Sequence, residues 1–513
     1  MSQTVRDLLG PHEAAAPAVL APARQALTHA GLRELADGTV AALNGLGVGR
    51  NDRVAIVLPN GPELASAFLA VACAAATAPL NPAYKAEEFD FYLSDLRAKA
   101  LIVAEDEAGP AVEVARRHGA SVLRLRSAPD DPAGRFTLAA EDAGGGAAPA
   151  ADPGPAEPDD VALVLHTSGT TSRPKIVPLL HRNVCASAAH IGAALALTPG
   201  DRCLNVMPLF HIHGLIAATL SSLASGGSTY CAPGFNALRF FAWLDEAKPT
   251  WYTAVPTMHQ AILARAARNP DSLAKAGLRL IRSSSASLPP QVMRELEAAF
   301  GCPVIESYGM TEAAHQMTSN PLPPRERYPG SVGVAAGPLV RTADNEEGRF
   351  VPAGEPGEVV ISGPNVTPGY EANPDANATA FFEADGRRWF RTGDQGVIDE
   401  GGYLRITGRL KEIINRGGEK VSPLEVDEVL MDHPAVQQVV TFAMPHDKLG
   451  EEVAAAVVLR EGGSADERAL RDFASSRLAD FKVPRRIVVL DEIPKGATGK
   501  LQRIGLAQKL GLG

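Results

Sequence analysis

Thr167, Ser168, Gly169, Thr170 and Thr171 follow one another directly after the apolar run Leu163-Val164-Leu165 and His166, with Ser172, Arg173, Pro174 and Lys175 close behind. Small hydroxyl and glycine positions let backbone N–H groups and side-chain oxygens approach phosphate oxygens, and Lys175 adds a positive charge. The G-x-x-x-x-G-K-[ST] order of a Walker A loop is absent. A polar surface turn between two regular elements would use the same residue types, so the stretch gains meaning only from its company.

Further along, Val304-Ile305-Glu306-Ser307-Tyr308-Gly309-Met310-Thr311-Glu312 reads as a short strand ending in a turn. Its aromatic ring, hydroxyl and carboxylate could stack a base, touch a phosphate and hold Mg²⁺; a capped helix start with Thr311 as the cap would look the same. His211 and His213 are two residues apart, and without a third nearby ligand they argue weakly for a metal. Pocket-lining histidines fit better, because ligand sites in α/β folds gather at strand-to-helix loops. Asp394, in Thr392-Gly393-Asp394, is expected at a hairpin turn, where an aspartate needs no function. Lys500 ends a glycine-punctuated loop that a solvated basic tail would match equally well.

The elements that must position these groups alternate. Residues 54–58 read as a strand and 62–75 as a helix; strands at 101–104 and 121–125 flank a helix near 109–118. A linker rich in Ala, Gly and Pro covers 144–160. A helix at 183–195, a strand at 203–207 and a helix at 215–223 continue the α/β pattern, and 357–363 and 389–404 look like hairpin material. Charge and glycine then concentrate from Gly408 to Lys420, which suggests a domain boundary and a flexible joint. The last hundred residues alternate helices and strands as a compact α+β module.

The 513 residues, 45% of them hydrophobic, are enough for more than one domain. A net charge of −10 argues against nucleic acid or an anionic membrane as a general partner. Five scattered cysteines without a C-x-x-C pair suggest neither zinc nor a disulfide framework. With no apolar leader, no stretch long enough to span a bilayer and no terminal S-K-L, a cytoplasmic location is expected. Nothing calls for a protein partner.

Taken together the motifs resemble, in order, those of the adenylate-forming superfamily of acyl-CoA synthetases, adenylation domains and luciferases, over roughly residues 35–505. The resemblance implies an α/β fold: a large N-terminal α/β domain (1–408) with layered sheets and a small β-rich part, and a small mobile C-terminal α+β domain (409–513). It also implies ATP, Mg²⁺ and coenzyme A as ligands. A carboxylate would attack the α-phosphorus of ATP to give an acyl-adenylate and pyrophosphate, and a thiol would then displace AMP. On this resemblance Thr167, Ser168, Gly169, Thr170, Thr171 and Lys175 hold phosphates, and Ser307, Tyr308, Gly309, Met310 and Thr311 the nucleotide. Glu312 supports Mg²⁺, Asp394 and Arg409 bind ribose and phosphate, and Lys411 is the hinge. Lys500 is the catalytic cation, with Thr170 and Glu312 beside it, and Gly417 and Gly418 leave room for the pantetheine arm. Ser172 and Ile176 stand where the family commonly has glycine, which puts in doubt any left-handed backbone at those two positions.

The acid is less directly written. Arg282-Ser283-Ser284-Ser285-Ala286-Ser287-Leu288 only loosely resembles the small apolar segment of family members acting on fatty or aromatic acids. With His211, His213 and His315, Ser284 and Ser285 suggest a short polar pocket with donors for a second carboxylate. Trp251 to Thr257 and Ser319 to Pro323 resemble the oxalate-CoA ligase branch, so oxalate is the expected acid. A medium-chain or aromatic acid, or a carrier-protein adenylating enzyme, is the alternative; no carrier domain follows the small module in this sequence.

Overall fold

The computed structural model describes residues 3–141, 149–167, 174–344, 348–494 and 501–512. Two large sheets carry most of the chain. One has seven strands, with Arg53–Val57 and Ala76–Pro79 at its centre and Val161–His166 and Ile176–Leu180 at one edge. The other has nine, running from Val334–Ala335 through His315–Ser319, Val304–Met310, Leu280–Ser283, Trp251–Ala254 and Arg202–Asn205 to Leu27–Thr28. The inner strands of both are parallel, and Arg53–Val57 and Ala100–Ala104 in the smaller sheet read as almost continuous apolar runs, as strands buried on both faces do.

The main core lies between these sheets. Ile56 and Leu163 from one side and Trp251, Leu280 and Ile305 from the other pack against the helices Pro62–Ala72 and His181–Ala194. A proline in the first turn of Pro62–Ala72 fixes its start, since that N–H would have no helical partner. The outer faces are covered too, by Ala86–Leu96 and Pro110–Arg117 on the smaller sheet and by Phe240–Ala247, Pro256–Ala266 and Pro290–Phe300 on the larger. The expected layered α/β architecture is what the chain adopts.

Two local expectations change. The helix read at 215–223 is a π-helix over His213–Leu220 followed by a short α-helix, Ser221–Ala224. Thr392-Gly393-Asp394 does not sit at a turn: it lies within the long strand Arg387–Ile398. Gly393 has φ +73, and the ladder with Leu404–Arg409 shifts register between Gln395 and Gly396. A glycine that looked like a turn is therefore a kink inside a strand. The real reversal follows, around Asp399 to Tyr403, where Gly402 N–H donates to the Asp399 carbonyl.

A five-stranded sheet of 339–409 contains that strand, and a second five-stranded sheet is built from residues 414–489. Helix Pro423–Met431 packs on the latter, its first turn capped by the Ser422 hydroxyl, which accepts from Glu425 N–H at 3.2 Å. Polar contacts tie this last sheet to the body: Gln260 Nε2 donates to the Gln437 carbonyl at 3.0 Å, and Arg460 lies 3.3 Å from Glu295.

Candidate active site

The C-terminal ends of the parallel strands open into one cleft of about 550 Å³. This is where ligands bind in open α/β sheets, because the loops leaving the strands diverge there. Thr167 follows strand Val161–His166, His211 follows Arg202–Asn205, Thr257 follows Trp251–Ala254, and Ser285 to Pro289 follow Leu280–Ser283. Tyr308, Gly309 and Met310 line it from the end of their strand. The wall opposite comes from the last hundred residues: Asp427, Gln438 and the run Leu501 to Ile504.

Tyr308, Asp394 and Arg409 meet although they lie far apart in sequence. The Tyr308 hydroxyl donates to Asp394 Oδ2 at 2.5 Å, and Arg409 Nε lies 3.2 Å from Asp394 Oδ1. The Thr392 hydroxyl accepts from Asp394 N–H at 3.1 Å. Register explains the arrangement: Asp394 and Arg409 are paired across the antiparallel strands that the kink at Gly393 re-aims. Arg409 is left half-exposed, with donors to spare for an anionic ligand.

Glu312 is buried at the start of the turn Thr311–Ala313. Burial pushes its pKa up, while the Tyr370 hydroxyl, Arg409 and Lys175 oppose that rise. The Tyr370 hydroxyl donates to Glu312 Oε1 at 2.8 Å, and Lys175 Nζ sits 4.4 Å above the Tyr370 ring. Thr311 is not a cap: it is the first residue of this single 3₁₀ turn, which Met310 precedes and no side chain caps. Lys175 and Thr167 close the base of the hydroxyl-rich stretch, Lys175 N–H donating to Thr167 Oγ1 at 3.0 Å. Ser168, Gly169, Thr170 and Thr171 lie outside the described residues, as does Lys500, whose neighbours Leu501 and Gln502 line the cleft.

Beside Ser285 the histidines separate. His211 lines the cleft. His213 is buried behind it, with Nδ1 at 3.0 Å from Ser285 Oγ and Nε2 at 2.6 Å from Thr253 Oγ1. His315 is buried as well, its ring 5.1 Å from that of His213. Ser284 is turned away, its hydroxyl donating to the Ser307 carbonyl at 2.9 Å. Gly417 and Gly418 form the tip between Ile414–Arg416 and Glu419–Val421 and are not among the lining residues; Lys411 is exposed just beyond Leu404–Arg409.

Tyr370 and Gln260 escape the sequence reading, and Thr253 enters it only within the segment Trp251 to Thr257, with no role of its own. No local pattern ties position 370 to 312 or 253 to 213; each pairing is made by the tertiary fold. Only Thr253 left a trace, in an apolar run where a strand neighbour of a ligand loop carries the one hydroxyl flanked by apolar residues.

Family models for AMP-binding enzymes match residues 11–371, and for the AMP-binding enzyme C-terminal domain residues 425–500. An oxalate–CoA ligase of Arabidopsis thaliana is 46% identical, covering 94% of this chain and 93% of its own. One from Saccharomyces cerevisiae is 42% identical, covering 90% and 87%. The crystal structure of ATP-bound MatB from Rhodopseudomonas palustris superposes with a TM-score of 0.88 at 31% identity, over 99% of both chains.

Proposed function

Because this chain belongs to the AMP-binding enzyme family, we propose that it is an ATP-dependent acid–CoA ligase working through an acyl-adenylate, and that its acid is oxalate. One observation supports the adenylating half above all: a single cleft at the strand ends gathers Tyr308, Asp394 and Arg409 on one wall and the neighbours of Lys500 on the other.

In the first half-reaction an oxygen of the acid's carboxylate bonds to the α-phosphorus of ATP, and pyrophosphate leaves. Phosphoryl chemistry of this kind asks the protein for position and countercharge more than for covalent work. Asp394 accepts from the ribose hydroxyls, Arg409 donates to phosphate, and Tyr308 lies against the base. Thr170 with its neighbours and Lys175 hold the β- and γ-phosphates, and Lys500 neutralises charge at the reacting phosphorus. The donor set suits Mg²⁺, which takes one or two carboxylates with phosphates and water: Glu312 offers one buried carboxylate, its Oε1 already oriented by Tyr370. The ion, when bound, would offset negative charge on the phosphates.

In the second half the CoA sulfur bonds to the acyl carbon and AMP leaves. On this reading residues 1–408 and 409–513 are the two units, Lys411 is the pivot, and rotation withdraws Lys500 and brings Gly417 and Gly418 beside the thiol path. Domain motion of this kind completes a catalytic constellation for one step and clears it for the next.

Oxalate follows from the acyl end. Ser285, His213 and His315 form a polar corner, and a second carboxylate buried there needs such donors. The relatives from A. thaliana and S. cerevisiae carry oxalate in their names. The test is AMP and pyrophosphate release with CoA and a panel of acids. Oxalate should exceed malonate, acetate, octanoate and 4-coumarate; an apolar acid winning by a wide margin refutes the assignment.

A further inference from the structure

Arg282 is a charge where the fold offers no counter-charge. It lies in Leu280–Ser283, in the interior of the nine-stranded sheet, level with Thr253 and Ile305 on the neighbouring strands. It is 0% exposed. Its Nη2 donates to Gln316 Oε1 at 3.1 Å and lies 3.5 Å from His315 Nδ1. Nε and Nη1 have no hydrogen-bond partner, and no carboxylate pairs with the guanidinium among the described residues. Burial pulls its pKa down to about 9, which leaves it charged at neutral pH. An unpaired buried ion is among the most costly things a core can hold, and an apolar side chain of similar volume would serve packing better.

The charge is one layer behind the acyl end of the cleft. Thr253, its strand neighbour, holds His213 Nε2; His213 Nδ1 meets Ser285 Oγ; and Ser285 lines the cleft. On the other side Arg282 faces His315 Nδ1. A guanidinium has only donors, so that nitrogen must be the acceptor, and the imidazole proton sits on Nε2. Arg282 therefore fixes which edge of His315 donates, and adds a positive potential behind both rings that little water screens.

Resting on the oxalate reading, we propose that Arg282 is the buried counter-charge by which this site selects acids bearing a second anionic group. It is a positioning residue, acting through His315 and His213 without touching the substrate. A second carboxylate at Ser285 sets a negative charge facing this cation across the two imidazole rings. Acetate, with a methyl group in place of the second carboxylate, leaves the cation uncompensated.

The experiment uses the full-length chain, with R282M, R282K and wild type assayed on oxalate and on acetate. The expected loss of kcat/KM on oxalate for R282M is about 100-fold, in the range for stripping a buried charge of its partner. Most of it should fall in KM, with acetate unchanged or better and the KM for ATP unmoved. R282K should restore oxalate to within about tenfold, as a point charge without the planar fork. The melting temperature of R282M should match or exceed wild type, because only the unliganded cost has been removed. Equal losses on both acids, or an R282M chain as oxalate-selective as wild type, overturn the proposal. R282Q gives the same readout should R282M not fold. Wild-type preference for acetate over oxalate sinks the oxalate reading whatever the variants do; oxalate preference that survives R282M sinks the role of Arg282 alone.

Discussion

Glu306→Gln removes one buried ionisable group and almost nothing else. Glu306 is 1% exposed in strand Val304–Met310. Its Oε1 accepts from Leu288 N–H at 2.8 Å, which pins the cleft-lining loop of Ser285 to Pro289, while Oε2 has no hydrogen-bond partner among the described residues. Burial lifts its pKa from 4.5 to about 8, with the Leu288 N–H opposing and the nearby Glu428 reinforcing. At neutral pH the folded chain thus keeps a proton that the unfolded chain releases. Wild-type stability must therefore fall as pH rises from 4.5 to about 8. At about 1.4 kcal/mol per pH unit the loss is roughly 3 kcal/mol at pH 7 and levels off near 5 kcal/mol above pH 8. Glutamine keeps the acceptor for Leu288 and is neutral in both states. Urea unfolding of the two proteins from pH 4 to 9 should show no gap at the acid end and a gap favouring the variant that widens to the alkaline end. A pH-independent gap, or a variant less stable than wild type at pH 8, refutes the buried-proton reasoning.

Asp394→Asn should raise the KM for ATP about 10- to 100-fold, because the Tyr308 hydroxyl and Arg409 both lose a charged partner, while the KM for the acid stays put; steady-state kinetics with each substrate varied decides it, and an unchanged KM for ATP counts against a nucleotide role. Lys500→Ala should abolish adenylation, measured by ATP–pyrophosphate exchange, yet largely spare thioester formation from supplied acyl-adenylate. Equal loss of both halves would contradict a lysine used in one of them only.

What sequence patterning conveys is uneven for physical reasons. Strand Arg53–Val57 and helix Pro62–Ala72 were legible because an apolar run and a helical period are local signals, and the residues at the strand ends fell in the cleft as the α/β rule requires. Asp394 was misplaced because Gly393 marks a turn and a kinked strand alike, and only the pairing with Arg409 distinguishes them. Tyr370 was invisible because its meaning is its distance to Glu312, which the fold creates across 58 residues. Arg282 stands at the head of the segment read as pocket lining but has no role of its own in the sequence, since only strand pairing shows it to lie in the middle of a sheet.

The π-helix His213–Leu220 holds a consequence at the level of chain length. It is buried on all sides, and its turns take one residue more than α-helical turns. Loss of any one residue between 214 and 220 would let the segment rewind as ordinary helix with its apolar wall intact. His213 would then stay nearly in phase with the helix that follows, because the residue removed is the one the wider turns absorb. A single-codon deletion here should therefore leave His213 at Thr253 and Ser285, whereas the same deletion inside an α-helix would turn one end against the other by about 100°; tolerance of lost chain length is built into this one segment.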